Sequence, residues 1–258
     1  MKNFHISDDD LVRIFSYDQR KAQYKSAFWS VIRGVFSFLI ILLLIYIATN
    51  FYALKAKFMY WYDNELIVST DNNSSEQPVA LTHTQEVIEK PILPSIAPNT
   101  ISIPAISINP PIIWEVNNTA DEVANGLEKG VVHLHGTALP GQAGNIYITG
   151  HSSNYSWARG HYNNIFALLD KLVVGDMIYL NYQDITYSYT VASARIVLAT
   201  DSSVLEKTGD SRLSLVTCWP IGTSLKRLVV VANQVYPNPD LNAQATGSLD
   251  ASKLPSGR

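Results

Sequence analysis

The stretch SRLSLVTCWPIGTSLKRLVVVANQ, Ser211 to Gln234, decides how the rest of the chain is read. RLSLVTC (212–218) and RLVVVANQV (227–235) are apolar runs of strand length with turn residues between them. The first run ends on Cys218, the chain's single cysteine, and Arg227 opens the second nine residues later. A strand that delivers a lone thiol to its end, followed by one that opens with a guanidinium, suggests a nucleophile beside an oxyanion or carbonyl clamp. Free cysteines are among the most buried residue types, so the neighbours of Cys218 must carry that reading against a core thiol.

Working outward, period-two runs recur on both sides. ISIPAISI (101–108) alternates across a proline that demotes it to an edge or bulged strand, and PIIWEV continues it. GNIYITGH (144–151), DMIYLNY (176–182) and ITYSYTVASARIVLA (185–199) are further strand candidates. ADEVANGLEKG (120–130) and NNIFALLDKL (163–172) read as short helices. Many short strands with little helix predict an all-β barrel or sandwich over 100–236.

The N-terminal third is of another kind. Residues 1–33 are polar and mixed in charge, and GVFSFLIILLLIYIATNFYAL (34–54) has no charge at all. As a helix that segment spans about 31 Å, which matches a hydrocarbon core of about 30 Å. Six Lys/Arg precede it and only Lys55 and Lys57 follow closely, so the positive-inside rule puts the N-terminus in the cytoplasm and the rest outside. A cleaved signal peptide fits less well, because the n-region is long and no small-residue cleavage site follows. Tyr52, Phe58, Tyr60, Trp61 and Tyr62 suit the outer interface. Residues 55–99 read as a stalk, polar and proline-rich in DNNSSEQP and PILPSIAP, with a helical turn or two between Thr82 and Lys90. The tail 237–258 has a disordered composition. A net charge of −3 argues against a nucleic-acid binder, and one cysteine excludes an internal disulfide.

His151 closes its strand as Cys218 closes another, and strand ends at a barrel rim can converge across 67 residues. Together with Arg227 they supply a thiolate, an imidazole to protonate a leaving amine, and a permanent planar cation. TGH (149–151), SLVTC (214–218) and Arg227, in an anchored all-β chain, resemble the signatures of the sortases, bacterial membrane-anchored cysteine transpeptidases. Ser214 stands where the family's TLxTC motif has threonine. HLHGTALPGQAGNIYITGHS is similar to the family's turn into the histidine strand, and ISIPAISINPPII resembles its first strands. TCWPIGT resembles class D or E more than class A.

The resemblance implies a closed, roughly eight-stranded barrel that cuts an LPXTG-like sorting signal between Thr and Gly. The acyl group is held as a cysteine thioester, then passed to an amine of the cell wall or a pilin. By motif, Cys218 is the nucleophile, His151 the general acid/base and Arg227 the clamp, while Thr217 helps shape the substrate groove. No cofactor and no metal are implied. A non-catalytic module that binds surface-protein or cell-wall peptides is the alternative, but it has no need for all three groups. The L,D-transpeptidases place glycine before their cysteine, where this chain has Thr217.

Other residues have plainer readings. His133 and His135 in VVHLHG would share a strand face, and HxH can ligate metal, yet no cluster of Cys, Asp or Glu accompanies them. His5 and His83 read as solvated; His161, near Tyr155, Trp157 and Tyr162, is either a substrate wall or ordered surface. LPSG (254–257) imitates a sorting signal but lacks the apolar segment that follows true ones.

Overall fold

The computed structural model describes residues 8–70, 93–155, 158–245 and 247. The expectations for His5, His83, Trp157, the turn at 82–90 and LPSG lie outside these. The chain divides into two compact units, Met1–Ala48 and Thr49–Arg258.

Most of the first unit is helix α1 (Asp8–Thr49), so the stretch read only as a polar tail is helical from Asp8. The apolar candidate span is Phe28–Thr49, with a mean hydropathy of 2.6, and it fits a single-pass membrane anchor. It sits several residues N-terminal to the expected 34–54, because the helix breaks at Asn50. A second helix, α2 (Phe51–Thr70), follows where a stalk was expected.

In the second unit, nine strands form one sheet. They are β1 (Ile101–Ser102), β2 (Ile112–Val116), β3 (Val131–Leu134), β4 (Gln142–Thr149), β5 (Met177–Tyr182), β6 (Ile185–Leu198), β7 (Ser211–Trp219), β8 (Lys226–Tyr236) and β9 (Ala243–Gln244). The order β1-β5-β6-β8-β7-β4-β3-β2 curls until its edges meet: Ile101 N–H donates to Pro110 O (3.1 Å) and Ile112 N–H to Asn99 O (2.7 Å). The result is the expected, nearly closed eight-stranded barrel. Alternate residues Ile146, Ile148, Leu213, Leu215, Leu228 and Val230 fill its interior.

The other face of the same strands carries a second cluster. Tyr147, Val216 and Val229 are covered there by Val123 and Leu127 of α3 (Ala120–Leu127) and by Val204 and Leu205 of the β6–β7 connection. Thr119 caps α3 by accepting from Glu122 N–H, and the parallel β2–α3–β3 crossover seats it. Close packing needs Gly126, since a Cβ there would come within 2.6 Å of Val132.

Three local expectations change. Pro104 breaks the first alternating run into β1 and a 3-10 turn over Pro104–Ile106. Residues 163–172 are not an α-helix but successive i→i+3 turns, such as Ala167 N–H to Asn164 O (3.0 Å) and Lys171 N–H to Leu168 O (2.9 Å). Part of the tail read as disordered is ordered: β9 pairs in parallel with the start of β4, and Asn242 bonds Ser211 and Gln234.

Candidate active site

β4 and β7 run parallel in register from Gly144↔Ser211 to Thr149↔Val216. Gly150 N–H continues the ladder by donating to Val216 O (3.1 Å), so two residues beyond the last pair His151 comes level with Cys218. β7 and β8 are antiparallel with Cys218 directly opposite Arg227. His151, just past the end of β4, therefore comes level with Cys218 and Arg227 on the two neighbouring strands, whose backbones lie about 4.8 Å apart.

Alternation puts all three on the outer face. Val216 and Val229 belong to the outer cluster, and Cys218 and Arg227 each lie two residues from one of them. Tyr147 gives independent support from the neighbouring strand position. Burial pushes its phenol well above the ordinary tyrosine range, and both Arg227 and Cys218 are close enough to bias it, in opposite directions. The sequence reading missed Tyr147, although its spacing of four from His151 already placed both on one face.

The imidazole of His151 is largely buried, and that burial holds its pKa below the ordinary histidine value, favouring the neutral ring. Its carbonyl accepts from Phe166 N–H (2.9 Å), which pins the backbone where β4 ends. Cys218 is half-buried. Arg227 makes no ion pair with a carboxylate among the described residues; its Nη1 donates to Ser224 O and Lys226 O, both at 3.1 Å. The simplest structural role for that guanidinium, pairing with a rim carboxylate, is thus absent among them.

Thr217 departs from the expectation of a groove-shaping side chain. It is 2 % exposed, lies on the opposite face from Cys218, and donates from Oγ1 to Gly150 O at 2.7 Å. A strand alternates, so the neighbour of an outward thiol must point inward. Its influence reaches the site through the backbone of Gly150 and His151.

The loop between Cys218 and Arg227 is tied down from two sides. Gly222 N–H donates to Ser153 Oγ (2.8 Å), just past His151. Ile221 packs with Ala167 and with Ala53 of α2, and Lys57 Nζ lies 5.0 Å over the Trp219 ring. His161 lines a polar cleft of about 260 Å³ with Asn50, Tyr52, Ser153, Tyr155 and Asn164, beside this loop.

His133 and His135 do not share a face, because β3 ends at Leu134. His133 is fully buried and His135 exposed, and both direct Nδ1 at Glu115, at 3.3 Å and 2.7 Å. Nε2 of His133 also meets Ala138 O and Thr137 Oγ1, each at 2.9 Å. These contacts join β2, β3 and the turn that follows.

A barrel with cysteine, histidine and arginine in one row across three strands defines a class of thiol-bearing β-barrel. Residues 101–235 match the sortase domain family model, and the chain belongs to the sortase family. It is 28% identical over 132 residues to sortase A of Listeria monocytogenes, covering 51% of this chain and 54% of that protein. It is 26% identical over 143 residues to sortase D of Bacillus subtilis, covering 54% and 64%. The chain thus matches between about half and two thirds of the length of these relatives. Among solved structures, sortase A from Corynebacterium diphtheriae is 32% identical, with a TM-score of 0.46, 55% of this chain and 61% of that chain covered.

Proposed function

We propose that this chain is a cysteine transpeptidase that cleaves an LPXTG-like sorting signal and transfers the acyl group to an amine. The observation that carries the reading is Cys218 paired opposite Arg227, with His151 two residues past the last β4–β7 pair and so level with Cys218. As Sγ of Cys218 attacks the scissile carbonyl carbon, the neutral imidazole of His151 takes the thiol proton, and the tetrahedral oxyanion is met by the guanidinium of Arg227. The C–N bond then breaks, His151 gives its proton to the departing amine, and a thioester remains on Sγ. An incoming amine, deprotonated by His151, attacks the thioester; the new amide forms and the thiolate leaves. The partners are surface proteins carrying the signal and an amine of the cell wall or a pilin. The domain would stand outside the plasma membrane with the N-terminus in the cytoplasm.

The test uses the membrane-embedded full chain with a fluorescence-quenched LPXTG-like peptide and an amine acceptor. Turnover and a mass shift equal to the acyl fragment on Cys218 are expected, both lost in Cys218→Ala. Turnover that survives loss of the thiol refutes the mechanism.

A further inference from the structure

Helix α2 has two unlike sides. At 100° per residue, Ala53, Lys57 and Tyr60 fall together, and Phe51, Phe58 and Tyr62 fall opposite them. The first side is docked. Ala53 is 2 % exposed against Ala167 and Ile221, Lys57 Nζ bonds Asp170 Oδ2 at 2.8 Å and covers Trp219, and Tyr60 packs on the barrel core. The rest of the surface shows Phe51, Tyr52, Phe58, Met59, Trp61 and Tyr62, all between 44 % and 60 % exposed. Phe58 stacks on Tyr62 (6.4 Å between centroids) and leans on Trp61 (6.0 Å), so much of this surface is one continuous patch. No acidic residue occurs from Phe51 to Tyr62, and Lys55 is the exposed cation among them.

Six large apolar and aromatic side chains within twelve residues are more than an ordinary soluble surface leaves open. The patch begins two residues after Thr49, where the candidate membrane span ends. Aromatic rings with one polar edge favour the headgroup layer, and a lysine beside them can reach lipid phosphate. We propose that the outer face of α2 lies in the headgroup–acyl boundary of the bilayer entered by the N-terminal span, seating the barrel on the lipid. α2 is then an adaptor, with lipid on one side and the loop after Cys218 on the other. A helix with its side chains is about 10–12 Å across, so that loop is held about one helix diameter above the aromatic layer. The thiol works on substrates retained at the membrane surface in preference to those free in solution; this consequence rests on the transpeptidase reading above.

The test uses the full chain in nanodiscs of zwitterionic and anionic phospholipid, in a Cys218→Ser background. Spin labels go on Phe51→Cys, Phe58→Cys and Tyr62→Cys, with Leu198→Cys and Val174→Cys as water-exposed references on the barrel. The outer-face labels should be several-fold more accessible to oxygen, relative to a water-soluble nickel chelate, than the references. Equal ratios at all five sites overturn the proposal, as does spin–spin broadening that rises with protein concentration, which would mark a second copy as the occupant. In otherwise native protein, a triple variant Phe58→Ser, Trp61→Ser, Tyr62→Ser should lose about tenfold in kcat/KM on a lipid-tethered signal peptide, one power of ten. On the free peptide it should stay within about twofold, as uniform loss would point to catalysis itself. An equal fall on both substrates removes the seating consequence. If the wild-type chain turns over neither substrate, the catalytic reading fails, while the spin-label result still decides the lipid contact.

Discussion

Replacing Thr217 by valine removes one oxygen and keeps the side-chain shape. In the folded protein that oxygen donates to Gly150 O at 2.7 Å in a setting only 2 % exposed. Valine leaves the carbonyl buried without that donor, which costs about 2 kcal/mol. For a unit of this size each kcal/mol moves Tm by about 2–4 °C, so a drop of roughly 4–8 °C is expected. Gly150 is joined directly to His151, and the lost bond frees the peptide that aims the imidazole along the row. A displacement on the order of 1 Å at a reacting group lowers kcat by up to about 10²-fold. The assay pairs a thermal melt with single-turnover acylation of Cys218, on Thr217→Val and on Thr217→Ser, which retains the hydroxyl. Serine should keep most of the acylation rate, and valine should lose it with KM little changed. A valine variant with native Tm and native acylation refutes the reasoning. A serine variant as impaired as valine would show that the methyl group, not the hydrogen bond, holds the strand end.

Burial lowers the pKa of both His133 and His151 from 6.5, so below that pH the unfolded chain binds protons that the folded chain refuses. Their contribution to stability is complete above about pH 6.5 and falls as pH drops through that value towards the folded pKa values. Urea midpoints at pH 7.5, 6 and 5 should decline in that order, and less steeply in His133→Gln; a flat series counts against it. Gly150→Ala would put a Cβ 2.7 Å from the Phe166 ring, an overpacking that costs about 1–3 kcal/mol. Phe166→Leu should relieve part of that cost, and strict additivity of the two changes in denaturation would contradict the contact. Arg227→Lys should lower kcat/KM by about 10²–10³-fold, the range for losing an oxyanion donor. Because the Arg227 side chain among the described residues bonds the carbonyls of Ser224 and Lys226 and no carboxylate, stability should shift by less than about 0.5 kcal/mol in a urea melt.

The barrel strands were legible because each has one face in the core and the other in an outer cluster or solvent. Period two is then written into β4 to β8 almost to the residue. The turns at 163–172 were misread because FALLDKL is as apolar as a helix; what holds the open form is non-local, the bond from Phe166 N–H to His151 O. The docking of α2 was hidden for a different reason. Its contacts are an alanine, a lysine ammonium and the tyrosine Tyr60, and no hydrophobic stripe announces them. The site residues were legible as types, yet their level alignment was not. It depends on a parallel register between β4 and β7, segments 67 residues apart at Gly150 and Thr217. The inward face of Thr217 was available from alternation alone, once Cys218 was taken to point outward.

The outer row of β7 explains why the thiol is where it is. Ser214 is 3 % exposed and donates to Asn145 Oδ1 at 2.8 Å, and Asn145 in turn donates to Val204 O at 2.9 Å, so the row begins under cover. Val216, next along the same face, is fully buried in the cluster with Val229 and Leu134. Cys218 is the next step, and it is only half-buried. The cover supplied by α3 and the β6–β7 connection therefore ends between Val216 and Cys218. Past that edge lie Cys218 and Arg227 on β7 and β8, with His151 two residues beyond the end of β4. Arg227 is laddered on both sides and Cys218 on one, while the His151 carbonyl is held by Phe166 N–H, which is the rigidity a precise site needs. The same-face position further back on β7, Val216, is buried, and the next one forward, Pro220, lies past the end of the ladder at Trp219.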